Sequence, residues 1–237
     1  MSRRIIHKAE TRGHAHHGWL NSHHTFSFAN YHNPERMGFG LLRVLNDDEV
    51  APGMGFGSHP HANMEIVSIP LSGTLAHKDS TGNSKTIQTN EVQLMSAGTG
   101  LLHSEFNHSK TEPVKFLQIW VFPKEQDIAP RYEQKTFSPA DRENKLQNVV
   151  SPEKDGSAIR INQDAWFTLG NLRPGFSETY RLHQAGNGVY VFVLEGEVTI
   201  DGEHLGRRDG MGISETEAFE INASSDAALL LIEVPMK

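Results

Sequence analysis

No segment of this 237-residue sequence holds a 3.6-residue apolar period for long, and that absence is its tightest constraint. What recurs instead is a short β-prone run bounded by Gly, Asn, Asp or Pro. Gly40–Leu45, Glu65–Leu71, Glu91–Met95, Lys115–Phe122, Val189–Leu194, Glu197–Ile200 and Ala228–Val234 all have this form. Ser72-Gly73, Gly82-Asn83, Glu195-Gly196 and Asp201-Gly202 supply turns between them. Asp-Gly directly after Val198-Thr199-Ile200 is the signature of a two-residue type I′ hairpin, because both central residues must accept positive φ. Pro139–Gln147 is the best short helical candidate. The expectation is an all-β chain that closes its sheets into sandwiches or barrels.

An internal echo divides the chain. Ile66–Thr74 (IVSIPLSGT) resembles Val191–Thr199 (VFVLEGEVT): an apolar strand, a glycine turn and a second strand. Each is followed by a further turn and strand, Asn90-Glu91-Val92 and Asp209-Gly210-Met211, ending near Ser96 and Ser214. Two barrels of one kind are therefore expected. Residues 1–137 form the first, 138–156 a linker carrying charge, Pro139 and Pro152, and 157–237 the second.

Composition removes several classes of function. The absence of cysteine excludes disulfide scaffolds, thiolate metal sites and cysteine nucleophiles. With 22 basic against 29 acidic residues the net charge is −7, and no basic stripe marks a nucleic-acid binder. The early Arg3-Arg4 pair is not followed by the apolar core of a secretory peptide. The longest apolar run, near Ala227–Val234, falls far short of the ~20 residues of a membrane helix. The cytoplasm is the expected compartment. Of 14 histidines, only His183 and His204 lie beyond residue 109, so metal or proton chemistry is expected in the first half.

Spacing picks out the site. Residues two apart on a strand share a face, so His59 and His61 can hold one ion together, with Asn63 and Glu65 further along. His103 and Glu105 repeat that spacing. A lone His-x-His arises by chance in a histidine-rich chain; two matched pairs, each after a glycine-rich segment, are far harder to reach that way. Imidazole and carboxylate together suit iron, nickel, copper, zinc or manganese without choosing among them.

The stretches Gly53-x5-His59-x-His61-x3-Glu65 and Gly100-x2-His103-x3-Asn107 resemble the two cupin motifs. RGHAHHGWLNSHHTFSFANY (Arg12–Tyr31), LRVLNDD (Leu42–Asp48), GFGSHPHANMEIV (Gly55–Val67), MSAGTGLLHSEFN (Met95–Asn107) and LQIWVFP (Leu117–Pro123) are similar to the pirin family, especially its bacterial members described as quercetin 2,3-dioxygenases. The resemblance implies a bicupin, two double-stranded β-helix (jelly-roll) barrels, with one mononuclear metal in the first. Fe(II) is the ion it implies, with Ni, Cu, Zn, Mn and Co as alternatives. Its ligand set maps onto His59, His61, His103 and Glu105. General cupins take the carboxylate from the first motif, here Glu65, so Glu65 is either an alternative ligand, a support behind the histidines or a structural residue.

The second barrel shows no such set. Counting along the repeat places Leu182 where His59 stands and Asn222 where His103 stands, and reads His183 and His204 as surface or packing residues. The cluster His14, His16, His17, His23 and His24 has no strand spacing beyond His14-x-His16, and Trp19, Phe26 and Phe28 mark it as a packing region. Phe56 and Met64 are read as barrel filling, and Ser104 as pointing away from the metal.

The resemblance implies a dioxygenase that cleaves a flavonol such as quercetin with O2, Glu105 serving as ligand and as base for the 3-hydroxyl proton. It further implies a monomer, while the charge balance and the short apolar runs leave no nucleic-acid or membrane partner expected. Two other readings stand beside it: a pirin-like regulatory metal protein acting through protein contacts, and a cupin enzyme of different chemistry.

Overall fold

The computed structural model describes residues 2–237, and among them regular structure is almost entirely strand, with two short 3-10 turns at Ala9–Thr11 and Pro139–Arg142. The strands of the first half are β1 Arg3–His7, β2 Gly13–His16, β3 Leu20–His24, β4 Leu42–Val50, β5 Gly55–His61, β6 Glu65–Ser72, β7 Thr74–Asp79, β8 Ser84–Gln88, β9 Glu91–Ser96, β10 Leu101–Asn107, β11 Val114–Val121 and β12 Arg131–Thr136. Those of the second are β13 Leu146–Ser151, β14 Ile159–Arg160, β15 Trp166–Leu172, β16 Phe176–Arg181, β17 Asn187–Glu195, β18 Val198–Ile200, β19 Glu203–Leu205, β20 Gly210–Ser214, β21 Ala218–Ala223 and β22 Ala227–Pro235. Each apolar run expected from the sequence falls on one of these strands. Asp201 and Gly202 have φ of 46° and 87° and join β18 to β19, the hairpin their sequence demands.

Each half pairs a seven-stranded sheet with a four-stranded one. The first has β12-β9-β6-β11-β4-β3-β2 facing β5-β10-β7-β8; the second has β1-β20-β17-β22-β15-β13-β14 facing β16-β21-β18-β19. These are two-sheet jelly rolls whose sheets remain separate, so the expected all-β bicupin architecture holds without closed barrels. Alternation along the large sheets sorts the side chains. On β11, Leu117, Ile119 and Val121 face the other half, while Phe116, Gln118 and Trp120 belong to the interior of the first jelly roll. On β22, Leu230, Ile232 and Val234 face the other half, and Leu229 and Leu231 turn inward. The two large sheets are thus cemented by one apolar core, including Val67, Ile69, Leu94, Phe167, Phe192 and Leu230. The two halves share this core instead of hanging on a linker.

Two boundaries differ from the sequence expectation. β1 does not join the first jelly roll: it pairs with β20 from Arg3↔Ser214 to His7↔Gly210, closing the edge of the second large sheet. β1 therefore belongs to the second large sheet although it precedes every strand of the first. Segment 138–156 is not a free linker either, since β13 lies within it and pairs with β15. The helix expected over Pro139–Gln147 is a single 3-10 turn, Pro139–Arg142, capped by Ser138, before the chain becomes strand. Neither β1 nor β13 is among the apolar runs that the sequence marks, and the partners that make them strands lie far away in the chain.

Candidate metal centre

Antiparallel pairing of β5 with β10 builds the centre. His103 stands opposite His59 and Leu101 opposite His61; the register then slips, so that Glu105 opposes Phe56. A bulge of this kind re-aims side chains beside a site. The rings of His59, His61 and His103 converge, with centroids 4.9 Å (59–61), 4.4 Å (59–103) and 4.9 Å (61–103) apart. His59 Nδ1 lies 2.8 Å from the Gly57 carbonyl, which only accepts, so Nδ1 carries the proton and Nε2 is left with its lone pair. His61 Nε2 and both ring nitrogens of His103 are buried without a hydrogen-bond partner.

Burial keeps the rings of His61 and His103 neutral. It depresses His61 to about 4, with the charge of His59 adding to the effect. It depresses His103 to about 3, reinforced by His59, His61 and His77 and opposed by Asp79. Three imidazoles that converge, with buried nitrogens of His61 and His103 left unpartnered, are a poor structural core but a good donor set for a transition-metal cation. On that observation the residues fit a metal.

Glu105 is 3 % exposed and accepts from Ser68 Oγ (3.2 Å) and Gln118 Nε2 (2.8 Å). Burial raises its pKa against the pull of His77 and these hydrogen bonds. Its carboxylate lies within 4.8 Å of ligand nitrogens of His77 and His103, whereas His59, His61 and His103 form a separate triplet on the same criterion. His103 joins the two groups. His77 is the residue that sequence reasoning missed. Its Nε2 donates to Asp79 (3.1 Å), its Nδ1 has no partner, and β7–β10 pairing sets it beside Glu105. The His77-x-Asp79 spacing, the same two-residue alternation as the metal pairs, was the available signal. Asp79 is held below the usual carboxylate range despite its burial, by hydrogen bonds from Thr81, His77 and Asn83.

Glu65 lies elsewhere. The turn at Asn63 (φ 49°) separates β5 from β6 and resets the alternation, so Glu65 shares a face with Val67 and Ile69, toward the second half. Its Oε2 accepts from Ser96 Oγ (2.8 Å) and from the backbone N–H of Asn162 (3.0 Å). Its carboxylate thus bridges the two halves and lies outside both histidine groups. Among the described residues the His14–His24 cluster forms no three-ligand group either. His14 stacks on His23, while His17 and His24 line the cavity. Ser104 points outward, as alternation predicts. Met64 packs on Ile66, Met95, Ala97 and Leu101; Phe56 instead lines the cavity, edge-on to Trp19.

That cavity, about 290 Å³, opens over the three histidines and Glu105. Trp19, Phe28, Phe56 and Trp120 give it aromatic walls. No helix among the described residues is long and apolar enough to cross a membrane.

Comparison with known proteins shows the family of the chain. Residues 6–121 match the family model described as Pirin, and residues 148–234 match that described as Quercetinase C-terminal cupin domain. A relative from Escherichia coli (strain K12) named quercetin 2,3-dioxygenase is 44% identical over 232 residues, 97% of this chain and 98% of its own. A pirin-like protein from Caulobacter vibrioides is 40% identical over 222 residues, 93% of this chain and 95% of its own. The crystal structure of the bacterial pirin YhhW from Escherichia coli in complex with nickel(II) superposes with a TM-score of 0.93 at 42% identity, covering 98% of this chain and 99% of that one.

Proposed function

The chain belongs to the pirin family, and from that membership we propose that it is a metal-dependent dioxygenase that opens the heterocycle of a flavonol such as quercetin. The observation that carries this reading is the convergence of three imidazoles beneath an aromatic-walled cavity, with the inward nitrogens of His61 and His103 left without partners and a buried carboxylate at their side. His59, His61 and His103 would hold the metal, with Glu105 as fourth ligand and iron(II) as the ion. When bound, it supplies Lewis acidity toward the substrate's oxygens and a binding place for dioxygen.

The protein's own residues account for the rest. Trp19, Phe28, Phe56 and Trp120 orient a flat aromatic ligand and exclude water from it. Glu105, raised in pKa by burial, accepts the proton of the 3-hydroxyl at a carboxylate oxygen. Ser68 and Gln118 hold that carboxylate in place. His77, hydrogen-bonded to Asp79, backs the carboxylate from β7 and keeps an open nitrogen near it. Overall, the flavonol takes up one dioxygen and releases one ring carbon as carbon monoxide. The reading takes a monomer in the cytoplasm as the working unit.

The test is anaerobic iron loading followed by quercetin and oxygen. Bleaching of the flavonol absorbance with carbon monoxide release is expected; an unchanged spectrum with stoichiometric iron removes the reading. A regulatory metal protein, or a cupin of different chemistry, would bind metal and leave the flavonol intact.

A further inference from the structure

The large sheet forms the opposite wall of the same cavity, and it carries polar groups that the reaction above does not use. Asn46 and Asp48 stand two apart on β4 and line the cavity, 2% and 4% exposed. β3 places Ser22 opposite Asp48 and His24 opposite Asn46; β11 places Gln118 on the other side of Asn46. Asn46 Oδ1, Asp48 Oδ1 and Gln118 Oε1 have no hydrogen-bond partner. A buried polar atom left unpaired costs about 1–3 kcal/mol, so three on adjacent strands, beside a cavity, call for a ligand group that reaches them. The surrounding walls are aromatic, which confines polar contact to this patch and the histidine side.

We propose that Asn46 and Asp48 form a hydroxyl-recognition patch, so that the cavity selects planar aromatic ligands carrying ring hydroxyls in addition to the oxygens presented to the histidines. Asn46 Oδ1 and an Asp48 oxygen accept from such hydroxyls. The Asp48 carboxyl is also lifted to about 7, by burial first and by Asp47 and Glu105 next, against a hydrogen bond from Ser22. Near neutral pH it can therefore also donate to a ligand oxygen. This deepens the dioxygenase reading by adding a second point of substrate selection, but recognition at the patch does not need turnover.

The experiment exploits that separation. Equilibrium dialysis of the full chain compares two flavones without a 3-hydroxyl, hence outside the proposed reaction: a tetrahydroxyflavone and unsubstituted flavone. The hydroxylated ligand is expected to bind at least about tenfold more tightly, the equivalent of one recovered buried hydrogen bond. Asp48→Leu should collapse that preference toward unity while leaving the affinity for flavone unchanged; Asp48→Asn, which keeps hydrogen-bonding atoms in the same space, should retain most of it. Equal binding of the two flavones to the unsubstituted protein overturns the proposal, and so does a preference that survives Asp48→Leu. Quercetin bleaching is scored separately. No bleaching with an intact preference removes the dioxygenase reading and leaves the patch; bleaching without a preference does the reverse.

Discussion

The two jelly rolls share the order of their central strands, and matching these one by one shows why the second lacks the candidate site of the first. Gly73 and Gly196 anchor the match: φ is 78° and 72°, and each packs on the backbone that opens the next large-sheet strand, at Val114 and Ala227. Asn90 and Arg208, at φ 70° and 66°, occupy the next equivalent turn. Following the pairings outward, His59 corresponds to Tyr180 and His61 to Leu182, while His103 corresponds to Phe219 and Glu105 to Ile221. His77 becomes Ile200. The residues supporting Glu105, Ser68 and Gln118, become Val191 and Leu231; Asp48 becomes Gly170. Counting along the sequence had set Leu182 and Asn222 opposite His59 and His103. The strand register shifts those partners to Tyr180 and Phe219, and the absence of a ligand set in this half stands.

The difference is one of filling on a shared backbone. In the second interior, Tyr180, Val191, Ile200, Phe219, Ile221 and Leu231 belong to one apolar cluster. Glu233, a carboxylate buried in this interior, stands where the first half has Trp120 and is fully satisfied. It accepts from the Tyr180 hydroxyl, the His183 ring and backbone N–H groups, the Gln184 N–H and Asn187 Nδ2. His183 is thus a packing residue, stacked on Trp166. Unpartnered buried polar atoms concentrate in the first half. Among the described residues beyond 137, only Gln147 has one. Satisfied polar groups hold a fold together; orphaned ones beside a cavity mark where something binds.

The comparison breaks most readily at His103. His103→Ala should weaken metal retention at least ~100-fold and abolish flavonol loss, read by metal analysis after dialysis. Retained stoichiometric metal would relocate the centre. Its counterpart Phe219→Ala should leave metal content untouched and cost about 3–5 kcal/mol in denaturant unfolding, because it empties a packed interior. The paired glycines come next. Gly196→Ala should destabilise by more than Gly73→Ala, each by roughly 1–3 kcal/mol or more, since the new Cβ meets the Asp226 carbonyl in a hard clash but only crowds that of Pro113. Equal losses would mean that the two turns are constrained alike despite this difference in contacts.

Smaller effects sharpen the electrostatic side. In the metal-free protein His61 and His103 titrate near 4 and 3, against 6.5 for a free histidine. Between those values the unfolded chain binds protons that the folded one does not, so stability should fall as pH drops from about 6.5 toward 4. Asp48 works oppositely. Folded, it keeps its proton up to about 7, against 3.8 unfolded, so it destabilises increasingly as pH rises through that window. Asp48→Asn should therefore gain stability over the unsubstituted protein between pH 4 and 8, by on the order of a few kcal/mol at the upper end. A constant difference across pH would assign Asp48 another state. Least of all, Glu65→Gln should cost about 1 kcal/mol and leave metal content unchanged. Loss of metal in that variant would restore Glu65 to the site.

The amino-acid sequence alone determined the all-β class, the repeat, the Asp201-Gly202 hairpin and the pairing of His59 with His61 and of His103 with Glu105. All of these are local: turn chemistry and a two-residue alternation are written within a few positions of the residues concerned. The tertiary structure decided that β1 closes the far sheet, that His77 stands beside Glu105, and that Asn46 and Asp48 look across at the histidines. It also set apart two glutamates that carry similar spacing, Glu105 beside His77 and His103 and Glu65 outside both histidine groups. Period two tells which residues share a face, but not whether that face meets the cavity or the other half of the molecule. For Glu65 and Glu105 that answer comes from strand partners distant in sequence, and it turned one toward Asn162 and the other toward the cavity.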